Sequence, residues 1–162
     1  MKKFIKEYLP YLVIIILVLL VKRYIVSPVK VNGESMMTTL HHGDIMILNS
    51  SAYYFDDIER FDIVVVKAKN EYIIKRVIGL PGETVEYRDN KLYINNKLVK
   101  DKYGSEPTED FKEKVPKGSY FVLGDNRTNS MDSRVFGSFK KKEIRGKTKL
   151  IVFPFNRFGT KK

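Results

Sequence analysis

Cysteine is absent from all 162 residues, so the chain can build neither a disulfide framework nor a thiolate nucleophile. That suits an exported domain without disulfide staples and equally suits many cytosolic proteins, so it fixes no compartment. Histidine is nearly as scarce, with two residues, His41 and His42, side by side. Neighbouring side chains project in different directions on most backbones, and no third ligand stands at a recognisable spacing. Neither a metal site nor a Ser–His–Asp triad using Asp44 is expected, and no cofactor is implied. Internal repeats and low-complexity tracts are missing, and long helical periodicity is scarce past the N-terminal segment. The length leaves room for one domain and little more.

Positive charge is what the chain has in excess. Thirty Lys and Arg stand against nineteen Asp and Glu, a net of +11, which suggests an anionic partner, either a lipid surface or nucleic acid. Five bases and one acid fall within the first 26 residues, leaving +7 for the remainder. No single arm or recognition helix carries the charge. The apolar N-terminus favours anionic membrane lipid, and nucleic acid is not expected as a partner.

Tyr8 to Val21 is uncharged for 14 residues, about 21 Å as a helix against a hydrocarbon core of about 30 Å. Extended from Phe4 to Val26 it reaches about 34 Å, with Lys6, Lys22 and Arg23 near its ends, where their stems can snorkel. A cleaved signal peptide is the rival, but the exit Lys22-Arg23-Tyr24-Ile25-Val26-Ser27-Pro28 offers no small residues at alternate positions. The expectation is an uncleaved anchor over residues 1–27, a single transmembrane helix. Lys2, Lys3 and Lys6 favour a cytoplasmic N-terminus, a bias that Lys22 and Arg23 weaken.

Ser27-Pro28 ends the helix, because the residue before proline disfavours the α region. Short β-rich runs follow: Val29–Val31, Ile45–Leu48, Ile63–Val66, Tyr72–Ile78, Thr84–Tyr87, Leu92–Ile94, Lys97–Val99, Tyr120–Leu123 and Thr148–Val152. Asn95-Asn96 reads as a tight hairpin turn, since Asn tolerates φ > 0. Lys140–Glu143 reads as one helical turn. The fold class expected is mostly β, a transmembrane helix followed by a barrel-like antiparallel domain over residues 28–162. A small polar insertion, broken by Pro107 and Pro116, is expected around residues 100–117.

Three blocks carry the chemistry. Ser35 lies in Val31-Asn32-Gly33-Glu34-Ser35-Met36-Met37-Thr38-Thr39-Leu40, with an apolar wall beside it. Lys75 lies in Tyr72-Ile73-Ile74-Lys75-Arg76-Val77-Ile78-Gly79, where alternation puts it on the face of Ile73 and Val77. The third block is Gly124-Asp125-Asn126-Arg127-Thr128-Asn129-Ser130-Met131-Asp132-Ser133-Arg134. A serine hydroxyl needs a base within hydrogen-bond reach, and a lysine serves only when burial holds its pKa several units below about 10.4. Taken singly, Ser35 reads equally as a loop serine bonded to its own backbone, and Lys75 as a solvent-facing edge-strand lysine.

Together, in this order behind an apolar N-terminus, the blocks resemble the bacterial type I signal peptidases (leader peptidases), the serine–lysine proteases of secretory membranes, of the Gram-positive type. The resemblance runs to about Phe153. It implies Ser35 as nucleophile and as one oxyanion-hole donor through its backbone N–H, and Lys75 as general base. It implies Ser130 as a partner of Lys75, Asp132 and Arg134 as an ion pair bracing the loop, and Asp125 near Arg76. Pro28, Val29, Val31, Met36, Leu40, Ile73 and Ile74 match the walls of shallow pockets that admit small residues at −1 and −3 of a signal peptide. The catalytic domain is then expected on the extracellular face of the cell membrane. Two positions depart from the pattern: Thr38 stands where the family usually has proline, and Phe61 where it favours glycine. Gly33 cannot supply the serine hydroxyl that some members add to the oxyanion hole. Two alternatives keep the fold, a self-cleaving Ser/Lys regulator and a membrane-surface binding relative with an idle dyad. The first normally carries a DNA-binding helix-turn-helix, whereas a membrane segment is expected at this N-terminus, and retention of both Ser35 and Lys75 argues against the second.

Overall fold

A computed structural model of the chain describes residues 2–24, 26–105 and 107–161. It opens with a helix, α1 (Lys2–Tyr24). No helix among the described residues is long and apolar enough to cross a membrane, so the expected transmembrane helix is corrected. The physical reason is length between charges. The uncharged part of α1 is Tyr8 to Val21, about 21 Å of rise. The extension to Val26 does not form, because the chain is already extended in β1 (Val26–Lys30). The side chains of Lys2, Lys3, Lys22 and Arg23, on which the expected orientation rested, lie outside the described residues.

From β1 onward the chain is mostly β, and among the described residues every strand pairing is antiparallel. The strands after β1 are β2 (Ile45–Asn49), β3 (Ile63–Ala68), β4 (Glu71–Gly79), β5 (Thr84–Arg88), β6 (Lys91–Ile94) and β7 (Lys97–Val99). They are followed by β8 (Phe111–Lys114), β9 (Ser119–Leu123), β10 (Phe139–Lys140), β11 (Ile144–Phe153) and β12 (Gly159–Thr160). Two short helices, α2 (Ala52–Phe55) and α3 (Ser133–Phe136), lie between strands. The strands form two sheets where one barrel-like system was expected. The larger runs β1-β2-β11-β3-β4-β9-β10 with β12 added to β11, and the smaller runs β7-β6-β5-β8.

The division occurs at the end of β4. Gly79 closes that strand where a Cβ would collide with Val85, Val115 and Phe121, so only glycine lets the two sheets come so near. The Pro81-Gly82 turn then sends the chain into β5. Alternation along β4 serves both sides: Val77 packs with Val64, Val66 and Val122, while Ile78 packs with Val85, Leu92 and Phe121. A third cluster, Val31, Met36, Leu40, Met46, Ile63 and Ile151, underlies the loop between β1 and β2. Asn95 and Asn96 both adopt positive φ, 51° and 64°, in the β6–β7 hairpin. The stretch 100–117 contributes β8, paired to β5 with Phe111 opposite Tyr87, and buries Thr108 and Val115. Its charged residues fit an edge strand, where they discourage pairing with other chains.

Candidate active site

The loop from Val31 to Asp44 carries Ser35. Backbone bonds from Val31 N–H to the Asp44 carbonyl and from Gly43 N–H to the Val31 carbonyl close its base. Met37, Thr39 and Leu40 N–H groups fold its crown into a tight turn by donating to the carbonyls of Glu34 and Met36. Met36 and Leu40 are buried and root that turn in the core. The Met37–Thr38 peptide is cis. A second fastening comes from the other end of the chain. Arg157, in a turn of 3₁₀ helix after β11, donates to both carboxylate oxygens of buried Asp44 at 2.9 and 3.0 Å, and to the Thr39 carbonyl at 3.2 Å. Burial pushes the Asp44 carboxyl up, but Arg157 and the His41 N–H outweigh it and hold the group below the usual range.

Lys75 reaches this loop from β4. Its Nζ lies 2.6 Å from Ser35 Oγ, and only 3% of the residue is exposed. Burial holds the Lys75 ammonium down to about 8, partly opposed by the charges of Asp132, Asp125 and Glu71. Beyond Lys75, β4 changes partner. Glu71 to Arg76 pair with β3, whereas β9 joins only from Arg76 onward. Among the described residues, no strand pairs with the outer edge of Tyr72 to Lys75.

The third block follows β9 and wraps the back of the site. Asp125, fully buried, accepts from Arg76 Nε at 2.8 Å and Nη2 at 2.7 Å, and from Thr39 Oγ1 at 2.5 Å. Arg76 also donates to the Phe61 carbonyl at 2.9 Å and lies 3.7 Å under the Tyr103 ring. Asp132 accepts from Arg134 Nε and Nη2, both at 2.9 Å, and from Gly124 N–H at 3.0 Å. Burial pushes the Asp132 carboxyl up, yet Arg134 and the Gly124 N–H outweigh it and keep the carboxyl low. Ser130 Oγ is buried and makes no hydrogen bond among the described residues, so it does not bond Lys75 here. It is near enough to Asp132 to support that charge without reaching hydrogen-bond geometry.

Of the residues matched to pocket walls, Val31, Met36 and Leu40 are buried in the loop's core cluster, with Val29 and Ile74 packed against it. Ile73 packs on the opposite cluster, and Pro28 is exposed on the edge strand β1. The two histidines meet different partners: His42 Nδ1 accepts the Gly33 N–H, and His41 Nε2 lies 3.4 Å from Arg157. Sequence reasoning missed Thr39, Tyr103, Arg127 and Arg157. The contacts of Arg157 with Asp44 and of Thr39 with Asp125 span 113 and 86 positions, beyond any local periodicity.

Comparison with known proteins gives a consistent result. The family model for signal peptidase, peptidase S26, matches residues 2–153. A signal peptidase I of Bacillus amyloliquefaciens is 42% identical over 158 residues, spanning 90% of this chain and 85% of the relative. Signal peptidase I S of Bacillus subtilis (strain 168) is 42% identical over 170 residues, spanning 96% of this chain and 92% of the relative. A crystal structure of a signal peptidase I from Enterococcus faecalis V583 matches at 41% identity with a TM-score of 0.53, covering 57% of this chain and 97% of that one.

Proposed function

This chain belongs to the peptidase S26 family and is a signal peptidase, and we propose that it cleaves signal peptides from preproteins with Ser35 as nucleophile and Lys75 as general base. The observation that carries the reading is the 2.6 Å contact between Ser35 Oγ and a lysine amine buried enough to titrate at about 8. The neutral amine takes the Ser35 proton as Oγ attacks the scissile carbonyl carbon. The Ser35 N–H, which donates to no group among the described residues, is available to the oxyanion that forms. The Lys75 ammonium returns the proton to the leaving amine. Water then hydrolyses the acyl-enzyme, again with Lys75 as base.

Around that pair the supporting roles follow from contacts. Asp125 and Arg76 join β4 to the turn after β9, and Asp132 and Arg134 hold the same turn by the Gly124 N–H. The unpaired Ser130 Oγ serves as a hydrogen-bond partner for the Lys75 amine as it moves along the reaction path. An extended substrate adds to the open edge of Tyr72 to Lys75, the β-addition mode of recognition, which sets its backbone beside Lys75. Pockets for small side chains at −1 and −3 then lie over the apolar cluster of Val29, Met36 and Ile74.

The enzyme works at a membrane surface facing the cell exterior, where signal peptides emerge. Tyr8 to Leu19 of α1 expose about half or more of each large apolar side chain, as do Phe155 and Phe158, and anionic lipid complements the net charge of +11. The test is cleavage of a preprotein in detergent by wild type, Ser35→Ala and Lys75→Ala. Both variants are expected to stay folded and lose processing entirely, because nucleophile and base act as a unit. Near-normal cleavage by folded Lys75→Ala excludes the dyad.

A further inference from the structure

One buried ionic cluster has no part in that chemistry. Arg127 is 2% exposed and sits behind the Gly124–Arg127 turn. Its Nη2 donates to Asp101 at 2.5 Å, its Nε to the Gly124 carbonyl at 2.9 Å, and its Nη1 to the Tyr87 hydroxyl, which in turn donates to Asp101. The other Asp101 oxygen accepts the N–H groups of Tyr103 and Gly104. Gly104 lies so close to the guanidinium that a Cβ would collide with it. Ser105 fastens the turn twice more, accepting the Arg127 N–H on its Oγ at 2.9 Å and donating its own N–H to the Asp125 carbonyl at 2.7 Å.

The opposite face of the same four residues holds the nucleophile. Asn126 N–H donates to the Ser35 carbonyl at 3.0 Å, and Asn126 Nδ2 donates to the Glu34 carbonyl at 3.3 Å. Gly124 packs so tightly that a Cβ would strike the Ser35 carbonyl. One face of the turn is thus bonded to Tyr87 on β5 and Asp101 beyond β7, and the other to Ser35. Burying an ion pair is weak support for stability, whereas a planar five-donor fork fixes geometry well.

We propose that Asp101, Tyr87 and Arg127 form a positioning cluster through which the smaller sheet sets the Ser35 backbone for acylation. The proposal rests on Ser35 being the nucleophile. All three residues act through the Gly124–Arg127 turn, without touching the reacting atoms. The Ser35 carbonyl fixes the plane of the following peptide, and its residue carries both the attacking Oγ and the N–H offered to the oxyanion. Misplacement by about 1 Å at a reacting group costs on the order of 100-fold.

The experiment measures kcat, KM and melting temperature of the full chain on a soluble signal-peptide substrate, well below melting. Asp101→Asn is expected to lower kcat about 10- to 100-fold with KM within about twofold. Tyr87→Phe, which keeps the ion pair, is expected to lower kcat a few-fold. The double variant Asp101→Asn/Arg127→Met removes both charges, so melting recovers toward wild type. Its kcat stays low, because the Gly124 carbonyl has now lost its Arg127 donor. The pH limb of each variant stays in place, since neither Asp101 nor Arg127 is among the charges acting on Lys75. Recovery of kcat together with melting in the double variant, or unchanged kcat in both Tyr87→Phe and the double variant, overturns the proposal. If Asp101→Asn does not fold, those two variants decide the matter. Cleavage by Ser35→Ala instead overturns the nucleophile assignment, a separate and distinguishable failure.

Discussion

Replacing Lys75 by methionine should silence the enzyme and stabilise it. The side chains are of similar length, so the core about Ile73 and Val77 is not emptied. Holding the ammonium near 8 in place of 10.5 costs the folded protein about 3 kcal/mol at neutral pH. Methionine removes that cost but forfeits the contact with Ser35 Oγ, worth about 1 kcal/mol, leaving a gain of about 2 kcal/mol. For a chain of this size that is a rise in melting temperature of about 4–8 °C. The pH dependence has a definite sign. Below pH 8 both folded and unfolded lysine carry the proton and the penalty is present in full. Between 8 and 10.5 the folded lysine releases its proton first, so wild-type stability rises relative to the variant. The gain from Lys75→Met is therefore largest at pH 7 and gone near pH 10.5. Thermal unfolding of both proteins, followed by circular dichroism across that range, measures it. A methionine variant that melts no higher than wild type at pH 7, or an advantage that persists unchanged at pH 10.5, refutes a buried, strained ammonium at this position.

The same titration governs rate: kcat/KM should rise about tenfold between pH 7 and pH 9 as the neutral amine becomes the main form, and a limb near 6.5 would point to histidine instead. Asp132→Asn removes a charge that raises the Lys75 pKa, so the limb should move to lower pH. The unpaired Arg134 and the lost charge on Gly124 N–H should also lower stability by about 3 kcal/mol, read from urea unfolding. Phe61 adopts φ 72°, a strain of about 1–2 kcal/mol for a non-glycine residue. Its ring packs on Tyr103 at 5.4 Å, and lost burial and ring contact amount to about 2–4 kcal/mol. Phe61→Gly should therefore destabilise the chain, and an increase in unfolding free energy would mean that backbone strain dominates.

Strands with alternating or continuous apolar runs were legible because burial on a pleated surface leaves that pattern: the core of β4, the β6–β7 hairpin at Asn95-Asn96 and the run into β9 all stand close to expectation. β8 was not, since Phe-Lys-Glu-Lys on a sheet edge offers one apolar residue and no alternation to read. The apolar N-terminus misled for a different reason. Hydropathy marked it well, but the length between charges and the early start of β1 decide whether a helix spans. The blocks holding Ser35, Lys75 and Asp125 could be picked out because each is dense in unusual residues. Asp101, Tyr87, Arg127 and Arg157 could not, because their meaning lies in partners brought near only by the sheets.

The central position of β11 bears on when this protease can exist at all. That strand lies between β2 and β3, so two segments made early stay apart until residues 144–153 have been synthesised and inserted. Arg157, which fastens the Ser35 loop through Asp44, follows later still. A chain emerging from the ribosome therefore carries Ser35 and Lys75 long before it can hold them in register. Pairing across such separations is slow to form, and the unpaired edges are aggregation-prone in the interval. Proteolytic capacity therefore waits on β11 and Arg157, however early Ser35 and Lys75 are made.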